Sequence, residues 1–409
     1  MTIEYVIKTQ KCCGCGTCAG ICPVGAIDMK INERGFYIPN IDKKKCTNCG
    51  LCSKLCSQIN EITNFNELNK FVFGKVSDDK IIGNNINCYV GCSTDENLRF
   101  EASSGGMVSQ ILISALDEGI IDGAIVTKMK KDNPLIPEPF IARTKEEIIS
   151  AIGSKYCPVP VNIVLKKIIE SKSDEKFAVV GLPCHIVGIR KAEMLIPKLQ
   201  NKIILHLGLF CSGTESFFGT EFILKKKKIQ MKKVNSIKYR GAGWPGYMQI
   251  KCTDRIVKIS HHDQLYYGGI FPFFKNPTCL FCLKKGDIIN ELADISFGDA
   301  WGLVQENIGA IGTSIIVSRT DFGEKVLKMI LQRNNIKLIN LSKKNCYLHN
   351  GIKWKTNQNS ILDRIYFQYM YFITRYLVLQ NKNIQNFVLS IIYNILILKS
   401  KLFKNKPKN

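Results

Sequence analysis

Apolar residues change their spacing along the chain. Two short apolar runs, Ala26–Met29 and Phe36–Ile41, flank the polar tetrapeptide Asn32-Glu33-Arg34-Gly35 and predict a β-hairpin. A polar stretch from about Ser57 to Asn85 then predicts a linker. From Asn87 the pattern alternates. Asn87–Val90 is short and apolar. Met107, Val108, Ile111, Leu112, Ala115 and Leu116 recur at helical spacing, with Gly119 placed to end that helix. Ile120–Met129, Lys176–Gly181 and Lys202–Phe210 read as buried strands, the last two followed by helices from Pro183 and Thr214. Gly312–Arg319 and Phe322–Arg333 add a strand and a helix. Such alternation predicts an α/β domain with a mostly parallel sheet. From Arg364 the sequence is rich in Ile, Leu, Tyr and Phe, but its apolar stretch, Ile384–Leu398, includes Gln385, Asn386, Ser390 and Asn394. A membrane-spanning helix needs about 20 predominantly apolar residues. The expectation here is instead a helix lying on a membrane surface, or one docked on the domain or a partner subunit.

Charge bears on that tail. The chain carries 57 Lys and Arg against 34 Asp and Glu, a formal net charge of +23. Between Lys353 and Asn409 ten bases face a single acid, Asp363. A basic excess favours anionic partners such as membrane lipid, nucleic acid or phosphorylated cofactors, or simply solubilises a lysine-rich protein. At 409 residues the chain has room for two or three domains, and 45% hydrophobic with 22% charged residues is ordinary for a folded soluble protein.

Eighteen cysteines are not ordinary, and nine of them fall within Cys12–Cys56. A secreted chain spreads cysteines as disulfide staples, whereas a cytosolic one clusters them as metal ligands. The start, Met1 to Lys11, is polar without a signal peptide, so a reducing cytoplasm is expected. The segment Cys12-Cys13-Gly14-Cys15-Gly16-Thr17-Cys18-Ala19-Gly20-Ile21-Cys22-Pro23 recurs as Cys46-Thr47-Asn48-Cys49-Gly50-Leu51-Cys52-Ser53-Lys54-Leu55-Cys56. Each repeat reads C-x2-C-x2-C-x3-C, the bacterial ferredoxin spacing, in which the fourth cysteine of each run ligates the other of two 4Fe-4S clusters. This assigns Cys12, Cys15, Cys18 and Cys56 to one cluster and Cys46, Cys49, Cys52 and Cys22 to the other. Gly14, Gly16 and Gly50 would let backbone N–H groups approach the sulfide face. Zinc ribbons lack the third cysteine of each run. Cys13 is extra and reads as a bystander. Ser57 stands where the second repeat would usually carry proline, which could loosen the turn after Cys56 but removes no ligand.

A second constellation lies further on. Pro183-Cys184-His185 and Phe210-Cys211-Ser212 each follow a predicted strand, and parallel strands would open both thiols onto one sheet edge, where α/β sites lie. Cys279-Leu280-Phe281-Cys282 adds a C-x2-C pair, so four thiols from three segments could hold a third cluster; singly, a buried cysteine is a small inert hydrophobe. Cys88, Cys92, Cys157, Cys252 and Cys346 read as structural. Ser103-Ser104-Gly105-Gly106 precedes a helix, where free N–H groups can meet the phosphates of a flavin or nucleotide, or where an ordinary N-cap sits. Gly241-Ala242-Gly243-Trp244-Pro245-Gly246 and Tyr266-Tyr267-Gly268-Gly269 read as turns or as loops that pack on a flat cofactor ring.

Taken in order, Ser103–Gly106, Gly153-Ser154-Lys155-Tyr156, Gly181-Leu182-Pro183-Cys184, Phe210-Cys211, Cys279–Cys282 and Ala293-Asp294-Ile295-Ser296-Phe297-Gly298-Asp299-Ala300-Trp301-Gly302 carry a family likeness. The sequence resembles the beta subunits of coenzyme F420 (deazaflavin) hydrogenases and dehydrogenases, with a ferredoxin module fused in front, from about Cys12 to Arg333. The resemblance implies an α+β ferredoxin-type module at 1–62, a linker at 63–85, an α/β flavin domain with a mostly parallel sheet at 86–350 and a basic aromatic helical tail at 351–409. It implies FAD, with Ser104, Gly105 and Gly106 at its phosphates and Trp301 lining the same cavity. Lys155 and Tyr156 would face the flavin or the substrate and, with Asp299, form the catalytic set. Cys184, Cys211, Cys279 and Cys282 would hold the extra 4Fe-4S cluster. His185 stands where the family leads one to expect glutamine, which bears on flavin tuning or substrate choice.

The implied function is an iron–sulfur flavoprotein oxidoreductase linking a hydride donor, reduced coenzyme F420 or similar, to FAD and 4Fe-4S clusters. A hydride carries two electrons and a cluster takes one, so a flavin sits between them. Relatives of this kind also serve cell-surface polysaccharide assembly, and a non-catalytic electron relay subunit would use the same cysteines. Expected partners are the deazaflavin or another hydride donor, a redox partner protein or subunit and, through the tail, the inner face of the membrane, but not nucleic acid.

Overall fold

The computed structural model describes residues 2–59, 63–171, 174–261, 263, 271–279, 282, 287–301, 303 and 311–347. The expectations for the tail from 351 and for the loop Tyr266–Gly269 lie outside these residues. No helix among the described residues is long and apolar enough to cross a membrane.

Each ferredoxin-type repeat folds alike. A left-handed glycine, Gly16 or Gly50, opens a one-turn helix, Thr17–Gly20 or Leu51–Lys54, which carries the chain from the third cysteine towards the fourth. The hairpin between the repeats pairs β1 (Ile27–Ile31) with β2 (Tyr37–Ile41) antiparallel. Its turn is held by the Asn32 side chain, which accepts from the N–H groups of Arg34 and Phe36 at 3.0 Å each. An N-terminal helix, Ile3–Lys8, buries Ile3 and Val6 against Cys18, Cys56 and Ile59.

The second part is built on an eight-stranded sheet. Its strands are β3 (Asn87–Ser93), β4 (Gly123–Met129), β5 (Pro137–Ala142), β6 (Phe177–Gly181), β7 (Ile203–Leu209), β11 (Ile295–Asp299), β12 (Ser314–Ser318) and β13 (Ile336–Asn340), in the order β13-β3-β12-β11-β7-β6-β4-β5. A small antiparallel sheet of β8 (Val234–Lys238), β9 (Tyr247–Cys252) and β10 (Ile256–Ser260) stands apart from it. In the large sheet only the centre, β4-β6-β7-β11, is parallel. The β3, β5, β12 and β13 pairings are antiparallel, so the expected mostly parallel sheet is a mixed one within an α+β fold. Side chains alternate across it: Phe177 and Val179 enter one core with Ile186 and Ile189 of the helix Pro183–Leu195, while Ala178 enters the other with Ile111, Leu327 and Ile330.

The expected linker is also structured. Asn64 and Glu67 form a capping box that starts the helix Phe65–Phe73, and Leu68 is buried in the core shared with Ile186. The polar composition conceals apolar Phe65, Leu68, Val72 and Phe73 at helical spacing. Beyond that helix, Arg319 donates to the carbonyls of Ile82 (2.7 Å) and Asn84 (2.9 Å). The helix expected from Thr214 begins at Phe217.

The module docks tightly on this domain. A Cβ at Gly20 would lie 2.0 Å from the carbonyl oxygen of Asn162, and one at Gly188 would lie 2.2 Å from Thr17 Oγ1. Buried Asn162 is the keystone: its N–H donates to the Cys15 carbonyl (3.0 Å) and its amide to Thr17 Oγ1 (2.8 Å) and the His185 carbonyl (2.9 Å). Lys191, 1% exposed on the helix Pro183–Leu195, donates to the carbonyls of Cys56 (3.0 Å) and Ile59 (2.6 Å). These bonds close the turn after Cys56 that Ser57 was expected to loosen.

Candidate functional site

The loops after each cysteine run bring the first predicted ligand set together. Cys12, Cys15, Cys18 and Cys56 line one small pocket together with Cys13, Ser57, Gly16 and Thr17. Burial first, then the Cys15 thiol, pushes the Cys12 thiol up to about 12, and burial takes Cys56 to about 11. Packed thiols without a counter-cation hold their protons; iron would supply the positive charge that releases them. The backbone is already turned to sulfur, with Gly14 N–H donating to Cys12 Sγ (3.4 Å) and Ala26 N–H to Cys22 Sγ (3.2 Å). In the second set, Cys52 lies within electrostatic range of Cys49, Cys22 and Cys52 pack in the same small core, and Cys49 is exposed. Among the described residues no three Cys, His, Asp or Glu side chains are close enough to hold a single metal ion. Four cysteine thiols are the donor set that a 4Fe-4S cluster takes.

The third set forms at the carboxyl edge of the parallel strands. β6 ends at Gly181 and delivers Cys184, and β7 ends at Leu209 and delivers Cys211. Cys184 interacts with Cys211 and Cys279, and Cys211 with both Cys279 and Cys282, so the structure gathers the four predicted thiols. Backbone amides face sulfur here too: Gly213 N–H to Cys211 Sγ (3.3 Å) and Thr214 N–H to Cys279 Sγ (3.4 Å). The donor set therefore fits a cluster. Next to it, His185 does not face a ligand. Its Nδ1 accepts from Leu182 N–H (3.1 Å), which assigns the proton to Nε2 and a bond to the Val159 carbonyl (3.2 Å). Burial lowers this ring to about 4, so it is a neutral staple at the start of its helix.

The remaining predicted residues meet on the same edge. Asp299 closes β11, pairs with Arg240 and accepts from Trp301 Nε1 (3.0 Å). Tyr156 interacts with Arg240 and stands edge-on to Tyr239, with ring centres 6.1 Å apart. Trp301 is tilted against Trp244 at 4.4 Å and stacks on His261 at 5.8 Å. Ser104 donates to the Thr313 carbonyl (2.8 Å) and Gly105 N–H to Ser314 Oγ (3.1 Å). Gly105 has no room for a side chain, since a Cβ would lie 2.6 Å from the Gly91 carbonyl oxygen. Gly106, at φ +73°, is the N-cap of the helix Met107–Asp117 and makes no side-chain cap bond. Lys155 is half-buried, and its ammonium serves backbone carbonyls, Gly153 at 2.8 Å among them; desolvation of the ammonium lowers it to about 7. Two buried donors at this site, Arg240 Nη2 and Trp244 Nε1, have no partner among the described residues. Orphaned buried donors cost about 1–3 kcal/mol each, and they fit a ligand that carries acceptor atoms.

Sequence reasoning missed four participants. Arg240 had only its position before the Gly241–Gly246 loop as a signal. Glu215 is buried, lifted to about 7 by burial, and lies within electrostatic range of both Tyr156 and Cys211. Lys191 reads as a surface residue of an amphipathic helix. His206 is held from both sides, by Glu193 at its Nε2 (2.6 Å) and Asp294 at its Nδ1 (2.9 Å), and Arg190 joins the same two carboxylates to close the ring.

Comparison with known proteins accounts for this arrangement. Residues 88–166 match the family model for the N-terminal part of the coenzyme F420 hydrogenase/dehydrogenase beta subunit, 174–344 the model for its C-terminal part, and 11–58 a 4Fe-4S dicluster domain. The beta subunit of the coenzyme F420 hydrogenase of Methanothermobacter thermautotrophicus is 31% identical over 246 residues, which are 59% of this chain and 79% of the relative. One subunit of the F(420)H(2) dehydrogenase of Methanosarcina mazei is 24% identical over 341 residues, covering 80% of this chain and 84% of that one. A chain of the F420-reducing NiFe hydrogenase complex from Methanosarcina barkeri, solved with xenon, superposes with a TM-score of 0.54 at 25% identity over 69% of this chain and 92% of its own. The chain therefore belongs to the family of coenzyme F420 hydrogenase/dehydrogenase beta subunits, an oxidoreductase family, and carries a 4Fe-4S ferredoxin domain fused at its N-terminal side.

Proposed function

We propose that this oxidoreductase exchanges electrons between a hydride donor of the reduced-deazaflavin type and a protein acceptor. The route would use FAD, a 4Fe-4S cluster on Cys184, Cys211, Cys279 and Cys282, and two 4Fe-4S clusters on the ferredoxin cysteines. One observation carries the reading: the Tyr156–Arg240–Asp299 group, buried Glu215, the domain thiols and the first ferredoxin thiol set each lie within electrostatic range of the next.

When bound, a flavin supplies the conversion between a two-electron hydride and single electrons, and a 4Fe-4S cluster takes those singly. The chain's own residues do the rest. Arg240 Nη2 and Trp244 Nε1 offer their unpartnered protons to acceptor atoms of the ligand. Asp299 orients Arg240 and Trp301 by bonding both. The uncapped start of the helix Met107–Asp117 supports phosphate binding beside Gly105 and Gly106. Lys155 ties down the Gly153 backbone from within, and so positions the neighbouring Tyr156.

The test is anaerobic purification with iron and flavin quantitation, then addition of reduced deazaflavin. About twelve iron atoms per chain, four in each of three clusters, one flavin, and bleaching of its absorbance support the reading. About eight iron atoms would remove the domain cluster. No flavin after anaerobic reconstitution would leave an electron relay subunit, and a bound flavin that ignores reduced deazaflavin would remove that donor.

A further inference from the structure

Cys13 has no role in either ferredoxin ligand set, yet it is not at the periphery. Its thiol is in hydrogen-bonding contact with Cys15 on one side and Cys184 on the other, and lies 3.4 Å from Ser57 Oγ. Cys15 belongs to the ferredoxin-type set and Cys184 to the domain set, so one side chain touches both. The surroundings fix it there. Asn276 donates to the Cys12 carbonyl (3.1 Å) and Thr278 to the Gln10 carbonyl (3.1 Å), which pins the loop of Cys13 to the segment that carries Cys279. Asn162 N–H holds the Cys15 carbonyl from the other side (3.0 Å). Cys13 interacts with Cys15, Cys184 and Cys12, while Cys211 interacts with Cys279 and Cys282.

We propose that Cys13 is a positioning residue that couples the two cluster sites: a non-ligating thiol that donates a hydrogen bond to ligand sulfur at their junction, sets their relative potentials and is the protein contact across which an electron passes between them. This rests on the proposed cluster at Cys184, Cys211, Cys279 and Cys282. Cys13 itself is neither oxidised nor reduced; no bond to it forms or breaks, and one site loses the electron that the other gains. A donor to ligand sulfur stabilises the more negative, reduced state, so its removal lowers the potential.

The experiment compares anaerobically purified wild type, Cys13→Ser and Cys13→Ala by iron content and by EPR-monitored redox titration. All three should carry the same iron. The wild type should show magnetic coupling between two clusters when fully reduced. Cys13→Ala should shift a midpoint potential downward, and Cys13→Ser, which keeps a donor, should restore it. Loss of about four iron atoms in both variants would make Cys13 a ligand and overturn the proposal. Unchanged potentials in Cys13→Ala, or no coupling in a fully loaded wild type, would overturn it equally. A wild type that itself holds about eight iron atoms would instead remove the underlying domain cluster.

Discussion

Replacing Asp294 with Asn should destabilise the domain built on the eight-stranded sheet strongly and change how its stability responds to pH. Asp294 is buried at the start of β11 and accepts from His206 N–H (2.7 Å), His206 Nδ1 (2.9 Å), Thr320 Oγ1 (2.9 Å) and Arg190 (3.3 Å). Glu193 takes the other nitrogen of His206 and the other end of Arg190, so two cations and two anions alternate around a closed ring. Both imidazole nitrogens face carboxylates, so both carry protons and the ring is charged. Removing one charge from a buried pair costs about 3–5 kcal/mol, a fall in melting temperature on the order of 10 °C. The sign of the pH effect follows from His206. Although burial and Arg190 oppose its charge, Glu193 and Asp294 raise its pKa above 6.5. The folded state therefore binds a proton that the unfolded state has released, and stability falls by up to about 1.4 kcal/mol per pH unit from 6.5 upward until the folded value is passed. Below 6.5 the full contribution is present. Anaerobic thermal unfolding of wild type, Asp294→Asn and His206→Gln across pH 6 to 9 measures both effects, and His206→Gln should lose the slope. A cost below about 1 kcal/mol for Asp294→Asn, or equal slopes in wild type and His206→Gln, would refute the charged-ring reasoning.

Cys279→Ala should lower iron from about twelve to about eight per chain and remove one EPR signal while the ferredoxin signals persist. Lys191→Met removes a buried cation that donates to the Cys56 carbonyl; it should lower the potential of the cluster on Cys56, read by redox titration, and leave the Cys46–Cys52 side unmoved. Arg240→Met should reduce flavin retention through a desalting column, with iron content unchanged, because the Asp299 partner and the orphaned donor are lost together.

The sequence exposed those features that rest on short spacing. Cysteine runs define their own loops, and Gly16 and Gly50 then take the left-handed turns such loops need. The carboxyl edge was also legible, since the apolar runs ending at Gly181 and Phe210 deliver Cys184 and Cys211 wherever the two strands lie parallel. The mixed character of the sheet was not. β5 begins Pro137-Glu138-Pro139, which reads as loop and survives only because β5 is an edge strand. The helix Phe65–Phe73 escaped notice for a related reason, since its four apolar residues are diluted among Asn, Glu and Lys. Arg240, Glu215 and Cys13 owe their positions to long-range packing, and no local pattern announces such residues.

The clash-free fit of Gly20 on Asn162 and of Gly188 on Thr17 has a consequence for traffic. A ferredoxin on a tether can swing out to meet its client; this one is bolted down through contacts closer than a methyl group would tolerate. On the proposed route, a client would meet the module at its outer side, where Cys49 is solvent-facing and Lys43, Lys44 and Lys45 are exposed beside Cys46. An acidic surface would suit that rim, and such docking would weaken with salt as the screening length falls below about 8 Å.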